Sequence, residues 1–181
     1  FAQNAISRKG RTTPTSKLHP EPDIDKNGKI TQQLRSGQNL LVQVAKEPIS
    51  TKGPRLTSEL SIAGRFMVLV PFSDKVSVSQ KIRTVEERNR LKKLIQSIKP
   101  RNYGVIIRTA SEGKRVADLD QELRRLVNKW ESILPKLKKV HAPGLVLGEL
   151  SRTTALLRDI YTPDFSNIHI NDYAVYEEVS E

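Results

Sequence analysis

Arg108 and Thr109 stand at the carboxyl end of an apolar run, Tyr103-Gly-Val-Ile-Ile107. Arginine offers a planar fork of N–H donors matched to phosphate oxygens, and a following threonine adds a hydroxyl and a turn-entry backbone N–H. The pair makes either a small anion seat or an arginine salt-bridged at a strand end. Other chemistry is thin. The acid pairs Asp118/Glu122 and Glu86/Glu87 fall on helix faces predicted to be solvated, which reads as ordinary surface charge. His19, His141 and His169 are far apart, and His169, between Ile168 and Ile170, reads as a surface or hydrogen-bonded residue rather than a base. There is no Walker loop, nucleophile elbow or His-Glu-x-x-His pair. Without cysteine, disulfides, thiolate zinc sites and cysteine nucleophiles are excluded. Asp23-Ile-Asp-Lys-Asn-Gly-Lys-Ile30 copies the opening of a calcium-binding loop. Leu34 stands where that loop needs a bidentate Glu, and Pro20 and Pro22 block the entering helix, so an Asn-Gly turn is expected and no metal site.

The elements that must position these residues are readable from periodicity. Residues 1–38 lack either hydrophobic period and read as a loop or partly disordered arm. Asn39–Lys46, Arg55–Ile62, Phe66–Pro71 and Tyr103–Ala110 are predicted strands, and the continuous apolar run in Phe66–Pro71 implies burial on both faces. Thr84 with Glu87 predicts a capping box before the stripe Leu91, Leu94, Ile95 and Ile98, with Pro100 as terminator. Leu119, Leu123, Leu126, Trp130, Ile133 and Leu137 predict a long helix over residues 115–139, kinked at Pro135. Pro143–Gly148 and Asn167–Ile170 are expected short strands. Ser151 is the expected N-cap of a helix over Thr154–Tyr161, and an uncapped helix closes the sequence.

Charge narrows the partner. Thirty-one Lys and Arg against 20 Asp and Glu leave +11, which favours a polyanion: nucleic acid first, an anionic membrane surface second. No long apolar stretch or signal segment is present, so a soluble, cytoplasmic chain with no membrane span is expected. Net charge is +6 over residues 1–58, +9 over 59–150 and −4 over 151–181, so the last stretch is expected to belong to a different structural unit. The opening Phe1 and the uncapped final helix read as a piece of a longer chain.

Four motifs occur in order: Val42-Gln-Val-Ala-Lys-Glu47, Lys52-Gly-Pro-Arg-Leu-Thr57, Ser61-Ile-Ala-Gly64 with Val68-Leu-Val-Pro71, and Gly104-Val-Ile-Ile-Arg-Thr-Ala110. In order and spacing they resemble the ribonuclease E/G family, a resemblance that continues through Lys114, Trp130, Ala142-Pro143 and Arg158-Asp159 over roughly residues 38–181. It implies an α+β fold. Residues 1–58 would be the C-terminal part of an S1-type, OB-like RNA-binding barrel with a flexible N-terminal arm, 59–150 an inserted 5′-sensor domain, and 151–181 the start of an RNase H-like α/β segment. It further implies an endoribonuclease acting on single-stranded RNA with a 5′-monophosphate in RNA processing and decay. That full enzyme would be a homo-oligomer with catalytic Mg²⁺ and structural Zn²⁺. Sensor occupancy would favour its active state. The residues here would be non-catalytic and hold no cofactor.

By the same resemblance Arg108 and Thr109 hold the 5′-phosphate, Gly64 and Val68 lie beside the terminal nucleotide, and Lys52 and Lys81 contact the RNA body. Two departures stand out. The family's Arg-Arg-Ile is Gln80-Lys81-Ile82, and its Gly-x-Gly turn is Ser111-Glu112-Gly113, where Glu112 weakens an adjacent phosphate seat unless it turns outward. The competing reading is a general S1-like RNA-binding module that works through charge without recognising an end.

Overall fold

A computed structural model of the chain describes residues 13–18, 27–137, 139–148, 151–162 and 164–180. His19 and residues 23–26 of the calcium-loop-like segment lie outside the described residues, while Asn27 and Gly28 lie in a turn. The chain divides into two compact units, Phe1–Gly144 and Leu145–Glu181.

In the first unit a short helix α1 (Ile30–Gln33) precedes β1 (Gln43–Lys46) and β2 (Arg55–Thr57), which pair antiparallel as a two-stranded sheet. There follow β3 (Ile62–Ala63), β4 (Met67–Pro71), β5 (Val76–Val78), helix α2 (Val85–Ile98), β6 (Tyr103–Ile107) and helix α3 (Val116–Leu137). The second sheet has the order β3-β4-β6-β5, antiparallel except for β5 and β6, which run parallel across the α2 connection. This is an α+β architecture.

The two long helices pack on the sheet and on each other through the stripes the sequence shows. Leu91 and Ile95 of α2, and Leu119, Leu123, Leu126, Trp130 and Ile133 of α3, are buried against Met67, Leu69, Val105 and Ile107. Burying each such aliphatic side chain contributes about 1.5–3 kcal/mol. Both helices cover one face, and the other is closed at Val70 but opens at Val68, which is half-buried and whose cross-strand partner Ile106 is 45% exposed. The expected burial of β4 on both faces thus holds at Val70 and loosens only at Val68.

Other expectations shift for equally local reasons. Arg55–Ile62 is not one strand but contributes β2 to one sheet and β3 to the other, with Leu56 exposed and Ile62 buried. Tyr103–Ala110 ends its ladder at Ile107, and Thr109–Ser111 forms a single 3-10 turn. The capping box does not form. Thr84 makes no side-chain cap bond, and Glu87 instead chelates Arg90 through two 2.7 Å bonds and accepts the Gly113 N–H at 2.9 Å. Gly113 sits at φ +69°, a conformation that suits a residue without a Cβ.

The expected arm is partly anchored. Thr15, in a 3-10 turn over Thr15–Lys17, is fully buried: its hydroxyl accepts from Trp130 Nε1 at 2.8 Å and its carbonyl from Asn102 Nδ2 at 2.9 Å. Asn102 also donates to the Leu18 carbonyl at 2.6 Å.

The second unit contains α4 (Arg152–Ile160) and α5 (Tyr173–Ser180). Ser151 caps α4, accepting the Thr154 N–H at 3.3 Å, as its position predicts. Asp172 does the same for α5, accepting from Val175 at 3.0 Å. Glu178 ties the two helices, accepting from the Ser151 N–H and the Thr154 hydroxyl. The expected strands at Pro143–Gly148 and Asn167–Ile170 are absent among the described residues. Leu145 and Ile168 are exposed at 80% and 42%, and an apolar run becomes a strand only where a neighbour offers a ladder.

Candidate anion-binding site

The site is built on the turn from β3 to β4. Gly64-Arg-Phe-Met67 closes that hairpin with Gly64 N–H donating to Met67 O at 2.8 Å. The end of β6 runs alongside: the Arg108 N–H donates to Phe66 O at 2.8 Å, and the Ser111 hydroxyl donates to the same carbonyl at 2.5 Å. The Arg108 guanidinium then reaches the turn itself, with Nη1 donating to Gly64 O at 2.6 Å. Thr109, next in sequence, is exposed at the start of the 3-10 turn.

Four of the sequence-predicted residues are therefore neighbours: Arg108 touches Gly64, Thr109 adjoins Arg108, and Val68 follows the same turn on the open sheet face. Lys81 stands at the same end of the sheet. The Ser79 N–H donates to Ile107 O at 2.9 Å, which sets the exposed Gln80–Lys81 turn beside the end of β6. Lys52 is not in this group; it is exposed in the tight bridge with Ile49 beside the two-stranded sheet. Glu112 is exposed, its N–H spent on Thr109 O at 3.0 Å.

The residue missed by the sequence reading is Glu122. It is not solvated but 6% exposed, and its carboxylate accepts the Arg65 N–H at 2.5 Å and the Phe66 N–H at 2.8 Å. A Cβ on Gly64 would lie 2.7 Å from Glu122 Oε1, so the glycine is required by close approach. Arg125 pairs with the carboxylate at 3.6 Å. A signal existed: Glu122 falls three residues after Leu119 and four before Leu126, on the apolar stripe itself. Asp118 is the solvent-side acid expected, paired with Arg115 at 3.2 Å.

Cations surround the turn. The Phe66 ring carries the Arg65 guanidinium at 5.4 Å and the Lys114 ammonium at 5.7 Å. Arg65 Nε is buried and makes no hydrogen bond among the described residues, so it lacks an acceptor. The arrangement of donors and positive charge suits an anion and offers no nucleophile with an adjacent base. Among the described residues no three His, Asp or Glu side chains gather at metal-binding distance, and the chain has no cysteine. The described residues thus offer no ligand cluster for the Mg²⁺ or Zn²⁺ that the resemblance implies for a longer enzyme. No helix among the described residues is long and apolar enough to cross a membrane.

A model of the ribonuclease E/G family matches residues 61–181, well over half of the chain and all of this site. The chain belongs to the ribonuclease E/G family. It is 37% identical over 152 residues to a ribonuclease E of Nostoc sp., covering 84% of this chain and 22% of that protein. It is 35% identical over 152 residues to ribonuclease G of Escherichia coli, covering 84% of this chain and 31% of the relative. Ribonuclease G of Haemophilus influenzae is 36% identical over the same length and shares. The chain thus spans between about a fifth and a third of the length of these relatives. Gly64, Val68, Lys81, Arg108 and Thr109 lie within the family match, and Lys52 lies before it.

Proposed function

We propose that this chain binds single-stranded RNA and recognises its 5′-monophosphate, as a non-catalytic part of a ribonuclease E/G-type endoribonuclease of RNA processing and decay. In this reading residues 1–58 belong to an S1-type RNA-binding domain, 59–150 to a 5′-sensor domain and 151–181 to an RNase H-like segment. The parent would be a cytoplasmic homo-oligomer whose Mg²⁺-dependent hydrolysis falls to residues other than these.

The observation that carries the reading is the Arg108–Gly64 bond at 2.6 Å, which brings the phosphate-type donor to the turn that the terminal nucleotide would face. Arg108 and the Thr109 hydroxyl would hold the phosphate, Gly64 and Val68 would face the terminal nucleotide, and Lys52 and Lys81 would serve the RNA body. A general electrostatic module is the second reading, favoured by the +11 charge.

One short RNA carrying a 5′-monophosphate, 5′-hydroxyl or 5′-triphosphate separates the two. End recognition gives a monophosphate preference, whereas a purely electrostatic groove is indifferent or favours the most charged end. Arg108→Ala is expected to cost roughly ten- to a hundredfold in 5′-monophosphate affinity and much less for 5′-hydroxyl RNA, because each charge-assisted bond contributes about 1.5–3 kcal/mol. Lys52→Ala is expected to weaken both RNAs equally and to lower the salt slope by about one counterion. Equal losses of both RNAs on Arg108→Ala would reduce Arg108 to another backbone contact.

A further inference from the structure

The Gly64–Arg65 peptide is gripped from both ends. Its N–H, on Arg65, is held by Glu122 at 2.5 Å, and its C=O, on Gly64, accepts from Arg108 Nη1 at 2.6 Å. A trans peptide is planar, with N–H and C=O pointing in opposite directions, so fixing one fixes the other. The following residue is held on both its peptides: the Phe66 N–H goes to Glu122 at 2.8 Å, and the Phe66 C=O, in the next peptide, accepts from the Arg108 N–H and the Ser111 hydroxyl. Each carboxylate oxygen thus takes one of two successive amides, and the carbonyls on either side of that pair, Gly64 O and Phe66 O, both accept from the Arg108–Ser111 segment.

We propose that Glu122 is a positioning residue of the 5′-end site: its buried carboxylate orients the Gly64–Phe66 backbone and, through the Gly64 carbonyl, sets the attitude of the Arg108 guanidinium towards an RNA 5′-phosphate. This rests on the 5′-monophosphate reading above. The carboxylate polarises the peptide in the direction that strengthens the Gly64 O bond to Arg108, since hydrogen bonds in series reinforce one another in a low-dielectric interior. Its negative charge sits behind the turn, satisfied by two amides and Arg125. Gly64 follows as a consequence: with any larger residue there, the carboxylate could not approach the amides.

Glu122→Gln is the informative change. An amide keeps the size of the side chain but replaces one acceptor oxygen with an N–H₂ donor, which cannot pair with a backbone N–H. The chain and three variants, Glu122→Gln, Arg108→Ala and the double variant, are titrated with 5′-monophosphate and 5′-hydroxyl RNAs of one sequence, with circular dichroism and melting recorded for each. Glu122→Gln is expected to lower the monophosphate-over-hydroxyl preference by roughly tenfold, the worth of about 1.4 kcal/mol, while 5′-hydroxyl affinity stays within about twofold. In the Arg108→Ala background the same change is expected to have no further effect on preference, because its route runs through Arg108.

If Glu122→Gln does not fold, Glu122→Asp, which keeps the charge but shortens the reach, takes its place with the same expectation and the same double variant. A preference left unchanged, equal losses for both RNAs, or an undiminished loss in the Arg108→Ala background would each overturn the proposal. If the unaltered chain shows no preference for the monophosphate, the 5′-end reading itself fails and this proposal with it. A preference that survives at full strength in Glu122→Gln fails this proposal alone.

Discussion

Helix α3 carries two carboxylates that hold distant backbone, and they hold it in different ways. Glu122, near its beginning, takes two successive amides of a turn that a hairpin already closes, with Ile62 paired to Leu69 and Gly64 bonded to Met67. Glu131, two and a half turns on, accepts the Thr15 N–H at 2.8 Å and the Tyr103 phenol, beside the Trp130 bond to the Thr15 hydroxyl. Thr15 belongs to no sheet or long helix. The Glu122 carboxylate therefore sets the attitude of a backbone that would be present anyway. Glu131, with Trp130 and Asn102, decides whether a segment docks at all. Similar chemistry on one helix adjusts geometry at one end and recruits chain at the other.

The largest effect that would break this contrast is on global stability. Glu122→Ala leaves the Arg65 and Phe66 N–H groups facing the space of a buried carboxylate and is expected to cost about 2–4 kcal/mol in urea unfolding, because donors without an acceptor lose their hydration there. A cost below about 1 kcal/mol would mean the turn finds other acceptors and that Glu122 is dispensable. Glu131→Ala is expected to cost less, about 1–2 kcal/mol, since Glu131 is itself only half-buried and the short segment it holds can detach and rehydrate its N–H groups. Its signature is local: residues 13–18 lose amide-exchange protection while the β4–β6 amides keep theirs. Equal deprotection of sheet and segment would show that the segment is part of the same cooperative core.

The smallest expected effect concerns a third carboxylate, Glu87, which links α2 to the turn after the anion site. The Arg90 guanidinium, and then the Gly113 N–H, hold its carboxyl down at about 2. A carboxyl depressed by folding stabilises the fold above its ordinary value of about 4.3 and loses that contribution as pH falls. The contribution should thus fade between roughly pH 4 and 2. Carboxyl ¹³C titration should place Glu87 near the low end, and Arg90→Ala should move it upward. An unmoved midpoint would assign the depression to Gly113 alone.

Much of this architecture is legible in the residues. The stripes at Leu91–Ile98 and Leu119–Leu137 give the helices, the runs at Met67–Pro71 and Tyr103–Ile107 give the central strands, and Ser151 gives a cap. These follow because periodicity and capping chemistry are local. Less legible are the acids. Glu87 has the spacing of a capping box, yet Arg90 and Gly113 outcompete the Thr84 N–H for its carboxylate. Glu122 is a carboxylate one turn after Asp118, yet it is buried while Asp118 is partly exposed.

The amino-acid sequence by itself settles the excess of positive charge, the lack of thiol chemistry, the two long helices and the motifs that mark the family, because each depends on residue type or short-range spacing. The tertiary structure decides which strands share a sheet, that one sheet face stays open at Val68 and Ile106, and that Thr15 is buried. It also decides that Glu122 reaches amides 57 and 56 residues away. A hydrogen bond needs its partner within about 3 Å. Where the chain returns to within that distance is fixed only when helix and sheet pack, and no local pattern records it.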